Sequence, residues 1–311
     1  MPALSPTLFD VATVTLNPAI DRTIEVNRLA PGAVNRAAHL GDRPGGKGIN
    51  VAAALAPQGI RTAALGFLGR DNAELFATFM AARGIEDGCL RLPGATRTGL
   101  KIVDPERGET TDLNFPGLSP TAEDLAALVR QLDTIQTRWC ILAGSLPPGV
   151  PVSFYREAIM RLKARGIRLG LDASGASLRE ALEAAPDFIK PNLHELTELM
   201  GHELPDRAAV IAAARTLNTR GVPLVVVSLG ADGALFVSGD EIIHASSPPI
   251  TVHSTVGAGD AMVAGIVAAQ LRGFALEGCA RLAAAYSLSA LKRENPSAEL
   301  ESLAQRVRIS R

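Results

Sequence analysis

Between residues 122 and 227 the chain alternates helix-period segments with short apolar runs, and this alternation limits its fold more than any other feature. Apolar residues at helical spacing cover 122–132, 152–165, 177–184 and 207–220. Each segment precedes a strand-like run, at 139–143, 167–171, 188–190 and 224–227 respectively, and a further helix is predicted over 193–200. Strands separated by helices run parallel, so the pattern predicts a mostly parallel sheet with helices on both faces. Earlier runs at 11–16 and 62–67 add strands to it. A hairpin around Gly239-Asp240 and helices over 276–292 and 298–307 close the chain.

Two stretches break the pattern. Residues 22–43 and 89–116 hold short alternating pieces around Pro31-Gly32 and around a turn at 104–108, which predicts a small antiparallel β flap, discontinuous in sequence. The 311 residues contain no repeat, low-complexity tract or interdomain linker, so we expect one α/β domain over 1–311 with a small β lid.

Charge and cysteine content narrow the function classes. Thirty-one Lys and Arg against 32 Asp and Glu leave a net charge of −1, interspersed, which argues against nucleic acid or an anionic membrane as partner. No apolar run approaches the roughly 20 residues of a membrane span. Residues 1–9 lack the charged and apolar regions of a signal peptide and read as a frayed leader. Cys89, Cys140 and Cys279 lie far apart without a CxxC, as expected of reduced core residues in the cytoplasm. The five histidines show no metal spacing, so any metal should arrive with a phosphate ligand, as magnesium does.

Polar groups gather where the predicted strands end: Asp21 after Asn17-Pro18, Ser145, Asp172, Lys190 to Asn192, and the Ser228–Gly233 loop. That edge of a parallel sheet is where ligands bind. Two glycine-rich turns open helices there. Gly257-Ala258-Gly259-Asp260 follows Ser254-Thr255-Val256, and Gly45-Gly46-Lys47-Gly48 precedes Asn50. Free amides at a helix start attract anions. Neither turn meets a better-known motif, because Met262 replaces the third glycine of a dinucleotide fingerprint and Gly48 replaces the P-loop hydroxyl. Asp260 beside an anion site is either a base for an attacking hydroxyl or a complement to the helix dipole. Arg97 and Lys101, on one face of a strand region, are either surface cations or phosphate ligands.

TVGAGD at 255–260 and PGGKGINVA at 44–52, with LNPAID, GSLPPG, KPNLHE and SLGADG in order between and around them, resemble the signatures of the ribokinase-like PfkB carbohydrate kinases over roughly 11–292. The resemblance implies a ribokinase-like three-layer α/β/α domain. It implies Asp260 as catalytic base, with the Gly257, Ala258 and Gly259 amides stabilising the transferring phosphoryl group of ATP. Asp21, Gly46, Asn50 and Ser145 would hold the sugar, and Lys190, Asn192, Ser228, Gly230 and Gly233 the nucleotide. Glu195, with Asn192, would help hold Mg2+ through water. Lys47, Arg97 and Lys101 are three cations a free sugar would not need. Together with VNR at 34–36 and GETTDLNF at 108–115 they favour the branch that phosphorylates fructose 1-phosphate at O6. Kinases of tagatose 6-phosphate or fructose 6-phosphate are the family alternatives, and a sugar-phosphate sensor without turnover is a remote one. Gly99 stands where that branch commonly has asparagine, and residues 292–296 depart from the expected small-residue ending. Exposed lid strands and apolar Ile24, Leu113 and Phe115 suggest a homodimer paired through the lid.

Overall fold

The computed structural model describes residues 8–247, 256–292 and 296–311. Ser254 and Thr255 of the second glycine turn, residues 1–7 of the leader and residues 293–295 of the departing segment lie outside the described residues.

The strand β1 (Phe9–Thr15) leads into β2 (Ala19–Glu25) and β3 (Ala38–Gly45), and α1 (Lys47–Leu55) returns the chain to β4 (Thr62–Gly69). After α2 (Ala73–Ala81) come β5 (Glu86–Asp87), β6 (Leu90–Leu92), β7 (Thr98–Asp104) and β8 (Glu109–Asn114). The alternating region follows as α3 (Ala122–Thr134), β9 (Thr137–Ala143), α4 (Phe154–Ala164), β10 (Arg168–Asp172) and α5 (Gly175–Ala181). It continues through β11 (Phe188–Ile189), α6 (Leu193–Met200), α7 (Arg207–Thr219) and β12 (Leu224–Ser228). Last come β13 (Ala234–Ser238), β14 (Glu241–Ser246), α8 (Ala258–Leu271), α9 (Leu276–Lys292), α10 (Pro296–Arg306) and β15 (Arg308–Ser310).

These form an eleven-stranded sheet in the order β15-β14-β13-β12-β11-β10-β9-β1-β4-β5, with β6 also on β4. Pairings from β12 across to β4 are parallel, as the helical connections require, and the C-terminal strands add an antiparallel edge. One face is covered by α3 to α7 through Leu128, Ile159, Leu178, Leu196 and Leu217. The other is covered by α1 and α8 to α10 through Leu55, Ile266, Tyr286 and Leu303. Each fully buried leucine or isoleucine contributes about 1.5–3 kcal/mol. Helix starts are written locally: Thr121 with Asp124, and Asn192 with Glu195, form reciprocal capping boxes, and Asp206 caps α7.

Residues 260–269 of α8 are all buried, so this helix runs through the core rather than along the surface. Its tight packing on α9 depends on Gly265, where a Cβ would lie 2.5 Å from Ala283 Cα.

The small sheet has the order β3-β2-β7-β8. It differs from the predicted flap in two respects. Its central pair, β2 with β7, is parallel, because the chain passes through β3, α1 and the large sheet between them, a connection long enough to cross over. Residues 90–92 do not join it. The buried Leu90 and Leu92 pair with Phe67 and Gly69 of β4 and belong to the large core. Among the described residues no helix is long and apolar enough to cross a membrane.

Candidate active site

The α8 helix enters the core through a left-handed residue, Gly257 (φ 80°), whose carbonyl accepts the first helical bond, from the Ala261 amide at 2.8 Å. The amides of Gly257, Ala258 and Gly259 precede that bond and have no partner inside the helix, which makes the turn an anion receptor. Asp260 sits in the first turn, 8% exposed, and accepts a 2.8 Å hydrogen bond from Asn50 Nδ2. Burial and then the charge of Asp172 push its pKa up to about 6, against the opposing effects of Asn50, Lys47 and Lys190.

Asp172, at the end of β10, is 1% exposed and faces two ammonium groups. Lys47 Nζ donates to its Oδ1 at 2.9 Å and Lys190 Nζ lies 3.6 Å from the same oxygen. Burial works against the Asp172 charge, but the two lysines hold its pKa below the ordinary carboxylate value. Burial likewise opposes the Lys47 charge, and Asp172, with Glu195 and Asp260, carries that pKa above the usual lysine range. Lys190 Nζ lies 3.4 Å from where a Cβ on Gly259 would be, so it stands at the mouth of α8.

Beside this cluster, Asn192 and Glu195 form the α6 cap: Glu195 N donates to Asn192 Oδ1 at 2.8 Å, and Asn192 N donates to Glu195 Oε2 at 2.9 Å. Asn192 also bridges to Ser228 in parallel fashion. The turn that follows closes with Leu229 N donating to Gly233 O at 2.8 Å, with Gly230 and Gly233 at φ 63° and 89°.

A second group lies on the small sheet. Asp21 in β2 is flanked by Gly45 in β3 and Gly99 in β7. A Cβ at Gly45 would come within 2.6 Å of Asp21 Oδ2, and one at Gly99 within 3.5 Å of Oδ1 and 3.3 Å of Asn114 Oδ1. Lys101 lies between Asp112 (3.2 Å) and Asp21 (3.9 Å). Burial raises the Asp21 pKa, outweighing Lys101. Arg97 makes no carboxylate pair among the described residues. It donates to the carbonyls of Pro18, Phe115 and Asn17 at 3.3, 3.0 and 3.2 Å. Ser145 Oγ accepts from Asn17 Nδ2 at 3.1 Å.

The entrance to α1 ties the groups together. Gly45 abuts Asp21, Gly46 caps the helix at φ 135°, Lys47 reaches Asp172 and Asn50 reaches Asp260. The structure thus brings Lys47, Asn50, Lys190 and the 257–260 turn into one cluster, and Asp21 and Lys101 into another. Lys47, grouped by sequence with the sugar-phosphate cations, is committed to Asp172. The sequence shows Asp172 at a strand end, Asn17 before Pro18, and Asp112 and Asn114 within GETTDLNF, without marking a role for any of them. The usable signal for Asp172 was a carboxylate ending a strand whose neighbour ends in Lys190. The 460 Å³ cavity lined by Asp87, Cys89, Arg91 and Asp124 shares none of these residues. No group of three or more His, Cys, Asp or Glu that could hold a metal occurs among the described residues, and all three cysteines are free and buried.

The profile of the pfkB family carbohydrate kinases matches residues 14–303. A 1-phosphofructokinase of Xanthomonas campestris pv. campestris is 49% identical over 292 residues, covering 90% of each chain. One of Rhodobacter capsulatus is 47% identical over 289 residues, covering 92% of each. Phosphofructokinase-2 of Escherichia coli in complex with substrates and products superposes with a TM-score of 0.90 at 29% identity, over 95% of this chain and 98% of that one.

Proposed function

The chain belongs to the pfkB family of carbohydrate kinases, and from that premise we propose that it transfers the γ-phosphoryl group of ATP to O6 of fructose 1-phosphate, giving fructose 1,6-bisphosphate and ADP. The observation that carries the chemistry is Asp260, a buried carboxylate held by Asn50 at the mouth of the α8 anion receptor. The choice of sugar rests on the 1-phosphofructokinases at 49% and 47% identity, and on cations beside Asp21.

Asp260 accepts the O6 proton as oxygen attacks phosphorus. With a pKa of about 6 it is mostly ionised at neutral pH yet far more basic than an exposed aspartate. Charge gathering on the transferred group meets the Gly257, Ala258 and Gly259 amides, a pre-aligned set of dipoles that needs no reorganisation. Lys190 and Lys47 add positive charge on the β10–β11 side. The nucleotide lies along Lys190, Asn192, Ser228, Gly230 and Gly233.

On the sugar side, Asp21 accepts from hydroxyls, with Gly46, Asn50 and Ser145 completing the wall. Lys101 turns from Asp112 to the 1-phosphate. Arg97 keeps two of its five N–H groups for the same phosphate after its three carbonyl bonds. The small sheet is the lid that brings these groups over the sugar.

Among the described residues no three His, Cys, Asp or Glu side chains form a cage for a divalent cation, a donor set that fits one arriving on ATP phosphates. Glu195, with one oxygen spent on the α6 cap, would hold Mg2+ through water beside Asn192, and the ion would neutralise charge on the phosphates. Leu113 and Phe115, 45% and 51% exposed, are the surface for a homodimer through the small sheet, whereas Ile24 is already half-buried. Sedimentation as a monomer at micromolar concentration would remove that assignment. Three buried, free cysteines fit the cytoplasm.

The reading is tested by 31P NMR of a reaction containing the protein, ATP, magnesium and fructose 1-phosphate. Fructose 1,6-bisphosphate and ADP should appear in equal amounts. ADP with inorganic phosphate and no bisphosphate would contradict it.

A further inference from the structure

We infer that Asp172 is a positioning residue for phosphoryl transfer, fixing the ammonium groups of Lys47 and Lys190 at the mouth of α8. The inference rests on the reading of Asp260 and the 257–259 turn as the transfer centre.

Three segments distant in sequence meet at this carboxylate. Lys47 opens α1, Asp172 ends β10, and Lys190 follows β11, the parallel neighbour of β10. The backbone of Asp172 is held in place. Gly144 N donates to its carbonyl at 2.9 Å, Lys190 N donates to Leu171 O at 3.3 Å, and Tyr155 Oη donates to Gly144 O at 3.0 Å. One oxygen, Oδ1, faces both lysines, so both ammonium groups are drawn to a single atom.

The placement of Lys190 calls for such an anion. Its Nζ lies over the second residue of α8, where the helix end is already positive. A cation there is repelled unless a negative group balances it. Asp172 supplies that balance from behind, leaving the lysine's remaining N–H groups free to face the anion receptor. Asp172 is 1% exposed and its Oδ1 faces both lysines, which fits a group acting through Lys47 and Lys190 rather than on substrate. A purely structural ion pair would need only one lysine, and replacing it would change stability without changing how the chemical step depends on pH.

The test uses the full chain and compares Asp172→Asn with wild type. Asparagine keeps the shape and removes the charge. The expected result is a kcat lower by about 10²-fold, the scale of losing electrostatic help at a transfer site, with KM for the sugar phosphate changed less than threefold. The groups facing Asp260 are Asn50 and Lys47 from α1, Lys190 beside β11 and Asp172 from β10. Burial keeps the Asp260 pKa raised, but losing the Asp172 charge removes the second influence in that direction, so the acid limb of kcat/KM should move to lower pH. A folded Asp172→Asn protein with kcat within threefold of wild type and an unmoved acid limb overturns the inference. Should that variant not fold, Asp172→Glu decides, because it keeps the charge and shifts the carboxylate by one methylene: kcat below one-third of wild type supports the inference and kcat at or above one-third counts against it. The comparison is made on whichever sugar phosphate the wild type turns over. An error in the substrate therefore shows in the wild type, and an error about Asp172 shows only in the variants.

Discussion

Asn50 Nδ2 and Asp260 Oδ2 are 2.8 Å apart, although 210 residues separate them in sequence. The bond joins the first turn of α1 to the first turn of α8, and it fixes the carboxylate's direction at the one place where both glycine-rich turns converge. It also favours the ionised form, opposing the burial that raises the Asp260 pKa.

Asp260→Asn should lower kcat by about 10² or more, as loss of a general base does, with substrate KM values largely kept. Steady-state kinetics at neutral pH checks this, and retained turnover would remove Asp260 from the role of base.

The same substitution should stabilise the fold. The folded-state pKa of about 6 lies above the 3.8 of the exposed group, so between these values the native state binds more protons than the unfolded chain. The ionised form therefore costs stability, fully above pH 6 and progressively less down to pH 4. Asp260→Asn removes that cost, roughly 1–3 kcal/mol, and should raise Tm at pH 8 but barely at pH 4. A lower Tm at pH 8 would show that the carboxylate is well compensated.

The acid limb of the kcat/KM profile should fall near pH 6. In Asn50→Ala, which loses the bond to the carboxylate, it should move higher, so that activity suffers more at pH 6 than at pH 8. A limb near pH 4 in both proteins would mean that Asp260 is solvated during turnover.

Lys101 and Arg97 should separate by their partners. Among the described residues, Lys101→Met breaks ion pairs only with Asp112 and Asp21, and it should raise KM for fructose 1-phosphate tenfold or more with little change in Tm. Arg97→Ala also removes three bonds to carbonyls, so it should cost about 2 kcal/mol or more of stability. Urea unfolding alongside kinetics makes the distinction.

Gly45→Ala probes the sugar side by steric means alone. Its Cβ would come within 2.6 Å of Asp21 Oδ2 and must displace it. KM for the sugar phosphate should rise about tenfold while KM for ATP stays put. Equal changes in both would indicate a disturbed α1 rather than a displaced Asp21.

Much of this arrangement was legible in the sequence, because the features that carry it are local. Apolar runs between helical segments specify a parallel sheet, and the glycine turns before Lys47 and Ala258 specify helix entrances. What could not be read was pairing. Leu90 and Leu92 alternate with Arg91 like any half-buried strand, and only the fold decides that β4 is their neighbour. The parallel register of β2 and β7 depends on where the intervening chain goes. Arg97 looked like a free cation because nothing in sequence reveals the three carbonyls around it. Asp172 stood out only as one polar group among several at strand ends, because burial between two lysines is a tertiary property.

The central claim is tested most directly by kcat/KM for fructose 1-phosphate, fructose 6-phosphate and tagatose 6-phosphate, measured in parallel with ATP and magnesium. A preference of at least tenfold for fructose 1-phosphate is predicted, with the substrate phosphate against Lys101 and Arg97. A preference for either 6-phosphate would contradict the assignment of the sugar and of those two cations.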